Sequence, residues 1–453
     1  MTEHLTPLDT SLLHVEDTDR HTHLGIGALA VLDGPIPDHR ALMSVLGERI
    51  AACPRFAQRL RRRVFDLGAA EWVHDDDFRL DRHVCRVAVP GPGTDAELFA
   101  VVAEVMSWPL HRDRPLWEIW VVDGLADGRW ALLVKVHPCI ADAVATVHIL
   151  AGLSDEGVAH PTRRDSAACP ESSRQRTRWN GALRVATTVA VDAMIGAIKA
   201  DQTLRGAARF ATGLLRPVTP LNGPLTSRRR YTAARVGAAE VEQICRAFDV
   251  TVDDVALAAV TESYRNILLR RGEWPQADSL RTLVPIRQAM LLPRLPVDED
   301  DPVVRLRLVH ARLAQATVVA ERRDAWMAVA RAIPAPVTAW TTNLLSRLPQ
   351  RSVVALAANV AGPDRPLQIM GRQVSAVLPI PPIALRLRTG AAILRYGDSL
   401  FFGVLADYDA VADAEELAHG IEAAVHRLLV RSRRPWRRGP VRDRHGLSLV
   451  VNV

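Results

Sequence analysis

The run Trp130–Val136 constrains the fold more than any other part of the sequence. Its seven residues, WALLVKV, are apolar except for Lys135. A short apolar run with β-branched residues at its end is typical of a strand that is buried on both faces. Residues 141–152, which follow it, have apolar side chains at helical spacing. The sequence therefore predicts that His137 lies where a buried strand turns into a helix, which is a common place for a functional site.

The composition predicts a folded cytoplasmic protein. The chain has 453 residues, enough for two or three domains, and 48% of them are hydrophobic and 24% charged, which excludes a disordered or fibrous chain. The start has no basic segment followed by an apolar stretch, so no secretory signal is expected. The most apolar helical candidate, 185–198, is too short to span a bilayer. Five cysteines without a CxxC pair argue against a disulfide framework and a structural zinc site.

Helix and strand patterns divide the chain into two large parts. The first part, 1–165, combines a strand-like run at 25–32 with helix candidates at 38–52 and 95–106. A linker and a long apolar helix at 166–225 end in a proline-rich break, where we place the crossover between domains. The second part is 226–430, and an arginine-rich tail covers 431–453.

The second part also combines helices and strands. Val241, Ile244, Cys245 and Phe248 have the spacing of one helix face within 239–248. Thr251 and Asp254 resemble a capping box that opens the next helix. The remaining candidates are strands at 280–286, 353–360 and 400–405 and a last helix at 413–430.

The segment His137-Pro-Cys-Ile-Ala-Asp142-Ala143 is the most informative motif. A histidine and an aspartate at this spacing are weak evidence alone, because a buried histidine at a strand end is more often structural. The spacing matches the HHxxxDG motif of an acyltransferase superfamily that includes chloramphenicol acetyltransferase and peptide-synthetase condensation domains. Six further blocks occur in the expected order: PLD at 7–9, WVHDDDF at 72–78, PLWE at 115–118, PLNGP at 220–224, NVAGP at 359–363 and FGVLAD at 402–407. Together they resemble the bacterial wax ester synthase/diacylglycerol acyltransferase family nearly from end to end.

This resemblance implies an α/β fold and an O-acyltransferase activity. Two subdomains of the chloramphenicol-acetyltransferase type, each a mixed sheet flanked by helices, would enclose a tunnel. A fatty acyl group would pass from acyl-CoA to diacylglycerol or a long-chain alcohol, giving triacylglycerol or a wax ester. Acyl-CoA is then a co-substrate, and neither a cofactor nor a metal is expected. The lipid acceptor also implies peripheral contact with a membrane or lipid-droplet surface.

The resemblance also assigns roles to individual residues. The second histidine of the family motif is the general base, because a free alcohol is a poor nucleophile and imidazole titrates near neutral pH. Here that position is Pro138. His137 and Asp142 match the motif at their own positions, and Asp142 is expected to be paired with an arginine and to fix the loop. Substrate-binding positions carried over from the family blocks are Pro115, Leu116, Trp117, Glu118, Asp253, Asp254, Asn359 and Gly362.

Four departures from the family pattern indicate a diverged paralogue. They are Pro138 at the base position, Ala143 for glycine, Asp253 for asparagine, and a shortened stretch at 284–296. His137 is a poor substitute base, since neighbouring side chains on an extended backbone point to opposite faces. Two hypotheses follow: an acyltransferase of reduced activity, or a catalytically silent paralogue that binds acyl-CoA or lipid.

Other signals predict no additional chemistry. Residues 25–30 imitate a dinucleotide-binding loop but lack the preceding strand and following helix. His21 and His23 have no completing set of metal ligands. The tail, with Trp436 among its arginines, lacks any nucleic-acid-reading fold, and it is either a solvated segment or a contact to anionic lipid head groups.

Overall fold

The computed structural model describes residues 3–5, 7–61, 70–155, 221, 223–275, 280–286, 289–291, 295–315, 353–360, 362–363, 365–384 and 387–433. For the strands within 281–291 and 353–360, only the backbone is described. Most of the predicted linker and crossover helix at 166–225, and the tail from residue 434 onward, lie outside the described residues.

The described residues form fifteen strands and eight α-helices, besides three short 3₁₀-helices. The strands are β1 Glu3–His4, β2 Ile26–Leu32, β3 Gln58–Arg61, β4 Glu71–His74, β5 Val84–Ala88, β6 Trp117–Asp123, β7 Trp130–Val136, β8 Arg229–Gly237, β9 Arg281–Ile286, β10 Ala289–Leu291, β11 Val353–Val360, β12 Gln368–Ile369, β13 Arg372–Ile380, β14 Thr389–Tyr396 and β15 Ser399–Asp407. The helices are α1 Pro7–Thr18, α2 His39–Ala51, α3 Asp95–Ser107, α4 Ala143–Gly152, α5 Ala238–Phe248, α6 Val252–Arg270, α7 over 302–315 and α8 Ala414–Ser432.

Two six-stranded mixed sheets form the framework. The first has the order β12-β13-β2-β7-β6-β5, and β7 is a central strand whose seven residues are all buried. The second has the order β10-β9-β11-β14-β15-β8, with β11 parallel to both of its neighbours and β8 at one edge. A small sheet, β1-β4-β3, completes the set. The predicted α/β class and the buried strand Trp130–Val136 are confirmed.

The first sheet takes strands from both ends of the chain. β13 pairs with β2 in antiparallel register, with Val377 opposite Ala30. It also packs against β14 and β15 of the second sheet. The predicted division into 1–165 and 226–430 did not include a strand of the second part in the sheet of the first part. Because β13 pairs with β2 and packs against β14 and β15, the first sheet lies directly against the second.

A close contact fixes the junction of the two sheets. A Cβ atom at Gly403 of β15 would lie 1.7 Å from the carbonyl oxygen of Pro379 in β13. The buried hydroxyl of Tyr231 in β8 donates a hydrogen bond of 3.1 Å to the same carbonyl. Only glycine allows β15 to pass so close to β13.

The helices of the second half follow the apolar patterns of the sequence. α5 buries Val241, Ile244 and Phe248, and α8 packs against both α5 and α6. α6 begins at the predicted capping box of Thr251 and Asp254, which is therefore confirmed. Within the described ranges, no helix combines the length and the apolarity that a membrane span requires.

Candidate active site

The turn 137–143 joins the buried end of β7 to helix α4. The His137 N–H donates to the Leu116 carbonyl at 2.9 Å, which ties the turn to the start of β6. The Ile140 N–H returns to the His137 carbonyl at 2.8 Å. Asp142 is 4% exposed and caps α4, where its carboxylate accepts from the Ala145 N–H at 2.7 Å. Asp142 therefore holds the loop, and its expected pairing with an arginine stays a prediction.

The ring of His137 accepts one hydrogen bond and has a carboxylate near its other nitrogen. Nδ1 accepts from the Cys139 N–H at 3.1 Å, so the proton of the neutral ring lies on Nε2. Nε2 faces the Glu16 carboxylate at 3.4 Å, and the side chain is 1% exposed. A nitrogen that already carries a proton and faces a carboxylate cannot receive one from a substrate hydroxyl. The catalytic role that the motif predicts for His137 stays a prediction.

Glu16 of α1 is the charged partner of the turn. Its carboxylate accepts from the Leu24 N–H and from the Arg112 guanidinium, besides facing His137. Burial alone would raise the pKa of Glu16, but His137, Arg112 and the Leu24 N–H outweigh it and lower the pKa to about 2. Glu16 is thus a carboxylate near neutral pH. Sequence reasoning missed both Glu16 and Arg112, since neither belongs to a block that carried the resemblance.

Lys135 supplies a buried cation two residues before His137. Its ammonium group donates to the carbonyls of Val105 at 2.7 Å and Trp108 at 2.6 Å, at the end of α3. Burial lowers the pKa of Lys135 to about 8, with Glu118 and Glu16 opposing the shift. A Cβ at Gly25 would lie 3.1 Å from Cε of Lys135, so this glycine provides room for the lysine.

The turn itself offers no substitute base. Pro138 is buried and has neither an ionisable group nor an N–H. Cys139 is a buried thiol outside any disulfide, and its sulfur donates to the Asp9 carbonyl at 3.6 Å. Within 137–143, which the structure describes throughout, His137 and Asp142 are the other ionisable side chains, and each accepts a hydrogen bond from a backbone N–H of the turn or of α4.

The PLWE block borders the turn from β6. Trp117 lies opposite Val136 in the β6–β7 register, and Leu116 and Trp117 are almost fully buried. The Trp117 indole donates to the Phe56 carbonyl at 2.8 Å and stacks on the His83 ring at a centroid distance of 4.4 Å. These are the contacts of a core residue that fixes the strand supporting His137. The predicted substrate contacts of Leu116 and Trp117 stay predictions.

The two ends of this block have different surroundings. Pro115 is buried, whereas Glu118 is half-buried and lies opposite Lys135 in the sheet register. The Glu118 carboxylate accepts from the Trp120 indole at 3.0 Å. Glu118 thus places a negative charge on the strand beside the buried lysine, and the predicted substrate role of both ends is untested.

Asp253 and Asp254 lie in the first turn of α6. Asp254 is 2% exposed, accepts from the Thr251 N–H at 2.8 Å, and lies 2.8 Å from Nδ1 of His310. Asp253 is half-buried. The contacts of Asp254 are those of a helix cap, while the substrate-binding role predicted for the pair remains a prediction.

Asn359 lies in the strand β11, which approaches α4, and Gly362 follows that strand. This strand contacts the helix capped by Asp142. A Cβ at Gly362 would lie 1.7 Å from the Arg395 carbonyl oxygen, so close packing requires glycine there. β11 therefore borders the motif helix and Gly362 packs against β14, while contact of either position with substrate stays a prediction.

His21 and His23 lie just before β2, near a buried arginine. Arg229 donates to the His21 carbonyl, and its guanidinium lies 3.8 Å from the Asp407 carboxylate. Burial and the charge of Arg229 lower the pKa of His23 to about 4. Across the described ranges, no three histidine, cysteine or acidic side chains converge as a metal site would require.

Comparisons with known proteins agree with this geometry. The family model of the wax ester synthase/diacylglycerol acyltransferase catalytic domain matches residues 5–256, and that of the WS/DGAT C-terminal domain matches residues 287–428. A probable diacylglycerol O-acyltransferase of Mycobacterium tuberculosis is 51% identical over 99% of this chain and 100% of its own length. A putative diacylglycerol O-acyltransferase of the same organism is 42% identical over 94% of this chain and 91% of its own.

Solved structures extend the comparison to the fold. The wax ester synthase/diacylglycerol acyltransferase from Marinobacter aquaeolei VT8 superposes with a TM-score of 0.71 at 24% identity, covering 95% of this chain and 100% of that one. The first condensation domain of the calcium-dependent antibiotic synthetase gives 0.59 at 15% identity, covering 96% and 97%. The fold is thus shared with condensation domains. The sequence relatives and both family models, in contrast, all point to one family, that of the diacylglycerol acyltransferases. The chain belongs to the wax ester synthase/diacylglycerol acyltransferase family.

Proposed function

We propose that the protein transfers a fatty acyl group from acyl-CoA to the hydroxyl of diacylglycerol or of a long-chain alcohol. The product is triacylglycerol or a wax ester, and acyl-CoA is the co-substrate. The observation that carries the proposal is the buried strand end that presents the HPCIADA turn, in a chain whose 51%-identical relative is named a probable diacylglycerol O-acyltransferase.

Pro138 stands where the family has its general base, and this affects how the hydroxyl proton is removed during acyl transfer. The acceptor oxygen attacks the thioester carbonyl, the bond to sulfur breaks, and the hydroxyl proton passes to the departing CoA sulfur, which leaves as the thiol. Pro138 cannot take that proton, and His137 directs one nitrogen at the Cys139 N–H and the other at Glu16. The protein therefore contributes mainly the positioning of two substrates. Positioning alone still accelerates a reaction, so we propose a slow enzyme.

Replacement of Pro138 tests this mechanism. Pro138→His should raise the rate of acyl transfer to diacylglycerol by about 10²–10⁴-fold, because it restores a general base. The measurement is the formation of labelled triacylglycerol from labelled acyl-CoA by purified protein. Pro138→Asn is the matched control, since it also restores an N–H and a polar side chain but supplies no base. Equal gains in both variants, or no gain in an active protein, would show that another group removes the proton.

A silent paralogue that binds acyl-CoA or lipid is the second candidate. The surroundings of His137 favour it, since Nδ1 accepts from the Cys139 N–H and the buried Nε2 faces the Glu16 carboxylate at 3.4 Å. Binding of acyl-CoA by a protein that stays inactive both as wild type and as Pro138→His would select this candidate.

We also propose that the protein is cytoplasmic and meets its acceptor at a membrane or lipid-droplet surface. Diacylglycerol resides in lipid, and Trp274, which is 87% exposed, is a side chain suited to the interface between lipid and water. Co-flotation with diacylglycerol-containing vesicles should fall in Trp274→Ala. Unchanged flotation would exclude this contact.

A further inference from the structure

His23 lies at the edge of the first sheet where β7 presents the turn. The strand β2, which begins three residues after His23, starts opposite the last residue of β7. The Leu24 N–H donates to the Glu16 carboxylate. The same carboxylate faces Nε2 of His137 at 3.4 Å. Glu16 therefore connects the peptide that follows His23 with the ring of His137.

The ring of His23 is open to a ligand. The residue is half-buried, and among the described residues no group forms a hydrogen bond with either ring nitrogen. Neither nitrogen is fully enclosed, whereas Nε2 of His137 is. His23 thus offers both of its ring nitrogens to a molecule bound beside the turn.

Buried cations act on His23 from two strands. The side chain of Arg229 in β8 is 0% exposed, and Lys135 in β7 is 1% exposed. Burial and the positive charge of Arg229 lower the pKa of His23 to about 4. Lys135 and His21 add to this lowering, and the Glu16 carboxylate opposes it. The ring is therefore neutral near pH 7, and one of its nitrogens carries a proton.

These surroundings suit a hydrogen-bond donor better than a base. A base becomes cationic when it takes a proton, and Arg229 and Lys135 oppose a further positive charge beside them. The same two cations favour negative charge. The carbonyl oxygen of a thioester becomes negative when an alcohol attacks the carbon, and a donor that is already in place stabilises that oxygen without further reorganisation.

We propose that the N–H of the neutral His23 ring donates to the thioester carbonyl oxygen of the acyl donor and stabilises the negative charge that develops there. The new carbon–oxygen bond forms, the carbonyl is restored as the carbon–sulfur bond breaks, and the hydroxyl proton passes to the sulfur. His23 keeps its own proton throughout. The inference rests on the proposed function, because it concerns the thioester of that reaction, and it assigns His23 a role other than that of the base missing at Pro138.

Replacement of His23 separates a donor from a base. His23→Leu removes the N–H and should lower kcat for acyl transfer about 10²–10³-fold with little change in KM, which is the usual effect of losing one such donor. His23→Gln keeps an N–H but has no titratable nitrogen, so it should keep most of the wild-type kcat. His39→Leu, at an exposed histidine of α2, is the control and should match the wild type. Equal losses in His23→Leu and His23→Gln, or no loss in either, would overturn the proposal.

Infrared spectroscopy of bound acyl-CoA tests the contact without turnover. The carbonyl carbon of the thioester is isotope-labelled, and no acceptor alcohol is present. A hydrogen bond from His23 lowers the stretching frequency of this carbonyl on binding. The lowered band should appear in the wild type and in His23→Gln, and it should return toward the unbound frequency in His23→Leu. The same band in the wild type and in His23→Leu would contradict the contact.

The two proposals can fail separately. If the carbonyl band depends on His23 but neither the wild type nor Pro138→His forms triacylglycerol, the thioester contact holds and the proposed function fails. If the wild type forms triacylglycerol and His23→Leu does so at the same rate, the proposed function holds and this inference is wrong. Thermal unfolding of each variant shows whether a lost rate reflects a lost fold.

Discussion

His137 shows how the tautomer of a single ring can be fixed by its neighbours. The Cys139 N–H determines its tautomer, and the Glu16 carboxylate faces the remaining N–H. The motif spacing predicted that His137 would lie at the strand end. The identity of its partner could not be predicted, because Glu16 comes from a helix 121 residues earlier and nothing local couples the two side chains.

Glu16 should give the protein a measurable dependence on pH. Its pKa is about 2 in the folded protein against 4.5 as the ordinary value, so its stabilising effect is complete above pH 4.5 and is lost as pH falls toward 2. Glu16→Gln should lower the free energy of unfolding by about 3 kcal/mol at pH 6 and by little near pH 2. Urea unfolding at several pH values measures this difference. Glu48→Gln on α2, an exposed position, is the control, and an offset for Glu16→Gln that stays constant with pH would contradict the prediction.

The elements of the second half show what sequence patterns predict well. The helix predicted at 239–248 is Ala238–Phe248, and the strand predicted at 353–360 is Val353–Val360. The α6 capping box was visible because it depends on residues three positions apart. Periodicity and caps are local properties, which is why they can be read from the sequence without knowing the fold.

Helix α4 allows the roles of Asp142 to be separated. Asn is about as good as Asp at an N-cap, so Asp142→Asn keeps the cap and removes only the charge. If Asp142 is paired with an arginine, this variant loses several kcal/mol of stability while activity per folded molecule is largely kept. Asp142→Ala should lose about 1 kcal/mol more, because it removes the cap as well. Thermal unfolding with activity normalised to folded protein tests both variants.

The N-cap of α2, Asp38, is exposed and serves as the control for the loss of a helix cap alone. Asp38 accepts from the Ala41 N–H at 3.1 Å, and Asp38→Ala should cost about 1 kcal/mol through the cap alone. An Asp142→Asn variant as stable as the wild type would contradict the arginine pairing.

At the scale of the whole molecule, β13 links the two sheets, because it is a strand of the first sheet and packs against strands of the second. It pairs with β2 and packs on β15, where Gly403 and Pro379 meet. This connection could not be predicted from local patterns, since Arg372–Ile380 resembles any other strand and its partner is more than 300 residues away. Long-range pairing is decided by the fold as a whole.

The junction should respond strongly to small changes. Gly403→Ala forces a Cβ against the Pro379 carbonyl and should cost at least about 3 kcal/mol. Tyr231→Phe leaves that carbonyl without its hydroxyl partner and should cost about 1–3 kcal/mol. Gly47→Ala is the control, because its Cβ makes an ordinary contact of 3.4 Å within a helix. Urea unfolding should rank them in this order, and a Gly403→Ala variant as stable as Gly47→Ala would contradict the close contact.

The pairing of β13 with β2 has a consequence for biosynthesis. During translation, β2 and β7 leave the ribosome early, but the strand that covers the free edge of β2 is made only when residues 372–380 appear. Until then β2 presents unpaired backbone groups, and exposed edges of this kind favour association between nascent chains. The first sheet therefore matures after most of the polypeptide has been synthesised. A fragment that ends before residue 372 would keep the apolar strand Ile26–Leu32 uncovered and would need a chaperone or its missing strand to remain monomeric.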